Sequence, residues 1–249
     1  MDSFVEELLD RINCATVLEF PVGDITITFK ESVVISWGII VVVALLSFLL
    51  TRRLSVDKPG KAQLLLESLI SWLENMFDGL LGERGKRYTP YMITVIIYIG
   101  FANLSPLLGF KPPTKDLNVT AALAIMSIVL IEYAGIRANG LGGWCKSFAK
   151  PIAIMVPINI LEVFIRPLSL CMRLFGNIAG GFVIMELINC LCKFVIPVPF
   201  SMFFDVFDGL IQAYIFCMLT SLFTSEQIGE EEPPRRRRKA KKAQPIKTA

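Results

Sequence analysis

No histidine occurs among the 249 residues. A proton relay in such a chain has to run through carboxylates and water, and the commonest metal ligand is missing. Six cysteines are present (Cys14, Cys145, Cys171, Cys190, Cys192 and Cys217), mostly within apolar runs. Cys190-x-Cys192 is too closely spaced for a usual zinc pair, so the cysteines read as small packing residues rather than metal ligands. There is no glycine loop of the GxxxxGK type ending in Ser or Thr, so nucleotide chemistry is not encoded here. The apolar runs are continuous and lack alternation of period two, which argues against a membrane barrel. No internal repeat is visible, which speaks against a transporter built from two matching halves. The N-terminal stretch Met1–Phe20 is acidic and mildly amphipathic, without the basic start and short apolar core of a secretory leader.

What the chain does contain is apolar length. Hydrophobic residues make up 54% of it and the mean hydropathy is +0.60. Several runs of about 20 apolar residues are long enough to span a bilayer core. The pattern predicts an all-α polytopic membrane protein with about five transmembrane helices and one amphipathic surface helix. The net charge of +3 says little, because the charges are segregated along the chain.

Val33–Leu50 is the first span, followed at once by Arg52, Arg53, Lys58 and Lys61. Positive residues collect on the cytoplasmic side, which predicts an outside N-terminus and a cytoplasmic C-terminus. After the Pro59-Gly60 break, Lys61–Leu81 sets Leu65, Leu69, Trp72, Leu73, Met76 and Leu80 near helical spacing, as an amphipathic surface helix would. The basic loop Gly82–Arg87 follows. Tyr91–Phe110 and Leu117–Ile136 read as the second and third spans, joined by the proline-stiffened outer loop Lys111–Asp116. Glu132, near the inner edge of the third span, reads as an interfacial carboxylate, and Arg137–Lys150 as an inner loop. Pro151, Pro157 and Pro167 are expected to interrupt any straight helix. A helix from Pro167 to Val195 would run about 43 Å, so it is expected to tilt or break. Ile196–Pro199 turns the chain, and Phe200–Thr224 returns as the other arm of a long tilted hairpin. The expected organisation is an extracytoplasmic segment over 1–30, a transmembrane domain over 31–225 and a disordered basic cytoplasmic tail over 226–249. That tail, Glu230 to Lys242 above all, reads as a solvated anchor of topology, the alternative for its basic run being contact with anionic lipid or nucleic acid.

One charge stands out. Arg173 lies within a run apolar enough for a bilayer, and its guanidinium cannot shed its proton. A charge near the bilayer centre costs about 2.5–3.5 kcal/mol on insertion scales. Asn177 is four residues on and shares its face, with Arg166 seven before and Glu162 eleven before. In the last span Asp205, Asp208 and Gln212 follow at i, i+3 and i+7 and form one polar stripe. Gly176, Gly180 and Gly181 remove bulk from the Arg173 helix and let another helix approach. Two readings remain open at this level. One is a polar path with a fixed positive gate; the other is an ion pair of Arg173 with Asp205 or Asp208 that merely pins the hairpin. Arg166 and Lys193 are expected to snorkel.

The stretch Arg166-Pro-Leu-Ser-Leu-Cys-Met-Arg173-Leu-Phe-Gly-Asn177 resembles the signature of subunit a of F-type ATP synthases, in its bacterial and chloroplast-like form. Asn103–Thr120, Pro157–Glu162 and Gly209–Phe216 fit the same family in the right order, so the resemblance covers roughly residues 30–225. It implies a membrane-embedded proton-channel subunit that is no enzyme on its own, needs no cofactor or metal, and binds no nucleic acid. Implied partners are the c-ring subunits, b-type peripheral stalk subunits and the rest of the ATP synthase complex, within the lipid of a cell inner or plasma membrane. Arg173 matches the family's essential arginine, which faces a c-ring carboxylate. Asn177 and Gln212 match its polar companions, and Glu162 a carboxylate of the inner half-channel. Asp205 stands where many members carry His, and Phe182 where they carry Glu. Glu186, one turn further, is expected to line the outer half-channel with Asp205. Rivals from other classes are an anion transporter and a membrane scaffold with a structural ion pair.

Overall fold

The computed structural model describes residues 16–22, 25–52, 60–147, 156–191 and 202–229. Five segments in it are long and apolar enough to cross a membrane. The helical polytopic architecture expected from the apolar runs is therefore the one found. One element is additional. Strands β1 (Thr16–Val22) and β2 (Ile25–Lys30) pair antiparallel, with Val22 opposite Ile25 and an irregularity between Thr16 and Leu18.

Helix α1 (Glu31–Thr51) follows β2 directly. It has a mean hydropathy of 2.9 over its apolar window and buries almost none of itself in the protein. It leans on its neighbours through a hydrogen bond between the hydroxyls of Ser36 and Tyr98. Two ion pairs fix its start to the connection over 105–116: Lys111 Nζ to Glu31 Oε2 at 3.4 Å, and Lys30 Nζ to Asp116 Oδ2 at 3.7 Å.

Helix α2 (Lys61–Gly85) is broken at Gly82, whose φ of 67° suits a residue without a Cβ. Its core face is Leu73, Phe77 and Leu81, at i, i+4 and i+8, with Phe77 fully buried. Leu65, Leu69 and Trp72 remain exposed on another face. The amphipathic reading holds, but the inward stripe is centred on Phe77 rather than on the leucines before it. Asp78 takes a hydrogen bond from Thr89 Oγ1 at 2.6 Å and ties α2 to helix α3 (Thr89–Leu104).

The connection after α3 is two short 3-10 turns, Ser105–Leu108 and Pro113–Lys115. Asp116 then caps helix α4 (Leu117–Ser147), accepting the Asn118 N–H at 3.0 Å. Here the expectation of an inner loop from Arg137 is corrected: α4 continues through it. Gly140, with φ 71°, bends the chain rather than ending the helix. The bend brings Trp144 back to donate its Nε1–H to Glu132 Oε2 at 2.8 Å. Glu132 thus has a partner on its own helix.

Helix α5 (Val156–Leu191) is the longest element, 36 residues or roughly 54 Å. Pro157 and Pro167 do not interrupt it as expected, and Pro151 lies outside the described residues. Pro157 falls in the first turn, where a missing N–H costs nothing, and Pro167 is accommodated inside. The last arm begins as a π-helical turn, Met202–Asp208, and continues as helix α6 (Gly209–Ile228). It extends past Thr224, where the sequence suggested its end. Lys193, the turn Ile196–Pro199 and the tail from Glu230 lie outside the described residues.

Candidate functional site

The site is built where α5 and α6 run antiparallel. Asn177 on α5 donates through Nδ2 to Asp208 Oδ1 at 3.0 Å and to Gln212 Oε1 at 3.4 Å. Gln212 is buried, and its Nε2 has no partner among the described residues. Asn177 thus meets the polar stripe of the last span through Asp208 and Gln212. Asp205 lies in the π-helical turn and Glu186 on α5, and the side chains of both fall outside the described set.

Arg173 lies one turn before Asn177 but faces outward and is exposed. Among the described residues no ion pair or hydrogen bond engages its guanidinium, and Asp208 is occupied with Asn177. A pinning pair between Arg173 and Asp208 is thus not what holds this hairpin. Along the same outward face, a Cβ built on Gly176 or Gly180 would meet nothing within 4 Å. These glycines open toward the outside of the chain; within it, they mediate no close helix approach. Ile184 and Leu187 continue that exposed face.

Arg166 behaves in the opposite way. It does not snorkel. Its Nη2 donates to Glu162 Oε1 and to Glu226 Oε2, both at 3.0 Å, and its guanidinium stacks 4.8 Å from the Phe223 ring centroid. The side chain is only 8% exposed, against 50% for Glu162 and 64% for Glu226. The end of α6 covers this turn of α5, which is why two arginines seven residues apart have different surroundings. Glu226 is a residue that sequence reasoning missed, because the last span was cut short of it.

At the other end of the hairpin, Asn103 of α3 is the organising side chain. It is buried, donates to the Gly209 carbonyl at 2.8 Å and accepts from Thr114 Oγ1 at 2.9 Å. A Cβ on Gly209 would lie 2.9 Å from that of Asn103, so only glycine permits this approach. Phe182, where an acid was expected, presents its ring to Lys115 Nζ at 4.3 Å. A cation sits at this position facing an aromatic ring in place of a carboxylate. Among the described cysteines, Cys171 and Cys217 are buried, as packing residues should be, while Cys145 is exposed; the side chains of Cys14, Cys190 and Cys192 lie outside the described residues.

A fixed cation on the outward face of a membrane helix, backed by an amide and carboxylate layer, defines a multi-pass membrane protein with polar machinery inside its apolar spans. The model of the ATP synthase A chain family matches residues 33–225. The chain belongs to that family. It is similar to the ATP synthase subunit a of Moorella thermoacetica, 37% identical over 202 residues that cover 81% of this chain and 91% of the relative. A Bradyrhizobium relative, ATP synthase subunit a 2, is 36% identical over 215 residues, 86% of this chain and 95% of its own length. The sodium ion specific ATP synthase subunit a of Propionigenium modestum is 31% identical over 190 residues, 70% of this chain and 66% of its own.

Proposed function

We propose that the chain is the stator-side channel subunit of an F-type ATP synthase membrane sector, lying against a ring of carboxylate-bearing helices. The observation that carries this reading is the outward strip of α5. There Arg173 is exposed without a partner among the described residues, and Gly176 and Gly180 leave open space beside it. A guanidinium in an apolar span needs a counter-charge, and this arrangement offers it to another subunit.

In the proposed cycle, protons enter from outside past Asp205 and Glu186 and neutralise a ring carboxylate. The ring turns, and protons leave inward near Glu162. Arg173 stabilises each ring carboxylate as it passes in ionised form and blocks direct transfer between the two half-channels. A lysine would carry the charge without the planar fork of donors. Asn177, Asp208 and Gln212 form the hydrogen-bonded layer behind the gate. The driving force includes about 2.3 kcal/mol per charge per 100 mV of membrane potential. The N-terminus lies outside and the C-terminus in the cytoplasm, with b-type stalk subunits completing the stator.

Cysteine placed at Gly176 or Gly180 tests the orientation. In the assembled complex, oxidation is expected to link it to a cysteine set beside the ring carboxylate. Absence of any link from both positions would reject a ring-facing α5. The name of the Propionigenium modestum relative favours a second reading, in which the ion is sodium. Sodium dependence of ring-coupled ATP hydrolysis separates the two.

A further inference from the structure

We infer that this chain carries a binding site for the phosphate headgroup of an anionic phospholipid, formed where α2 and α6 end, α3 begins and α4 passes alongside. A cavity of about 410 Å³ opens there, rimmed by Arg84, Arg87 and Arg137 and floored by Tyr88, Ala134 and Ile228. The floor residues are buried. Gly85 makes the close packing of this corner possible: a Cβ on it would meet Leu81 Cβ at 2.8 Å and Ile228 Cδ1 at 3.6 Å.

The charge balance of the pocket favours an anion. Its lining holds three guanidiniums and one carboxylate, Glu83. That carboxylate is engaged by Lys86 Nζ at 2.8 Å. Among the described residues none of the three arginines makes an ion pair; Arg137 Nη1 donates only to Tyr133 Oη, at 3.4 Å. Guanidiniums recognise phosphate oxygens through paired N–H donors. The level of the site favours a lipid. The first turn of α3 begins at Thr89, the apolar part of α4 gives way to Arg137, and α6 ends at Ile228, so three spans reach the headgroup region at this corner. A basic rim over an apolar floor at that depth fits a headgroup with its acyl chains running down the helices.

The test uses the assembled complex in lipid nanodiscs of phosphatidylcholine with a minor share of phosphatidylglycerol, followed by mass spectrometry of the released chain under native conditions. The wild-type chain is expected to retain phosphatidylglycerol in preference to phosphatidylcholine. Arg84→Gln, Arg87→Gln and Arg137→Gln combined should lower that retention roughly 100-fold, since each basic residue near a charged surface contributes about fivefold. The corresponding triple Lys variant should keep part of it. All three side chains are exposed, so the fold should be unaffected, and an unchanged thermal midpoint verifies this. Equal retention by the Gln variant overturns the inference. Displacement by millimolar inorganic phosphate overturns the lipid source in favour of free phosphate. Retention by the isolated chain but not by the complex overturns it in favour of an acidic partner segment. None of these outcomes bears on the role proposed for Arg173.

Discussion

Neutralising Glu162 and Glu226 together strands the Arg166 guanidinium in a buried site. That side chain is 8% exposed, and its Nε and Nη1 already lack partners among the described residues. Leaving a buried charge uncompensated costs about 3–5 kcal/mol. At about 2–4 °C per kcal/mol for a chain of this size, the thermal midpoint of Glu162→Gln/Glu226→Gln should fall by roughly 6–20 °C. Glu226→Gln alone leaves Glu162 in place and removes a carboxylate that is 64% exposed, so it should cost only about 1 kcal/mol. Arg166→Met removes the charge itself and returns both acids to solvent, which again should cost about 1 kcal/mol or less. The order of the three variants is therefore the prediction. Buried Cys171 and Cys217 supply the assay in a background where Cys14, Cys145, Cys190 and Cys192 are replaced by serine, because a fluorogenic thiol reagent then reaches a thiol only when the chain opens. If Arg166→Met proved as damaging as the double glutamine variant, the cluster would be held by the pair's attraction, and the desolvation argument would fail.

Asn103→Leu should lower the midpoint by removing two buried hydrogen bonds, worth roughly 1–3 kcal/mol together at membrane-protein values. Gly209→Ala should destabilise the same contact, and the double variant should show less than the sum, which a thermal scan of all four forms measures. Asp205→Ala should slow proton uptake by up to about 10²-fold, and Glu186→Ala less, followed with a pH-sensitive dye in vesicles. Unchanged rates in both would remove them from the path.

Much of this architecture was legible because bilayer spans announce themselves by length and hydropathy. Asn177 and Gln212 were singled out separately, one by its offset from Arg173 and the other by the stripe of the last span, and the structure brings the two together. The misses have physical causes. Residues 25–30 alternate Ile25, Thr26, Ile27, Thr28, Phe29 and Lys30 behind a Gly23-Asp24 pair, a hairpin signal that was available in the sequence. Proline in membrane helices breaks less than the general rule suggests, because neighbouring helices compensate for it, and Pro167 lies inside α5. The ion pair of Arg166 with Glu226 joins residues 60 apart, and no periodicity within one element reveals such a contact. The outward face of Arg173 was equally hidden, since identical spacing on one helix left Arg166 covered and Arg173 open.

Arg173→Ala in vesicles carrying the assembled complex is the most direct measurement of the gate. ATP synthesis driven by an imposed gradient should disappear, while protons still cross the membrane sector without making ATP. Synthesis at the normal rate, with the same number of protons consumed per ATP, would contradict the assignment of Arg173 as the barrier between half-channels.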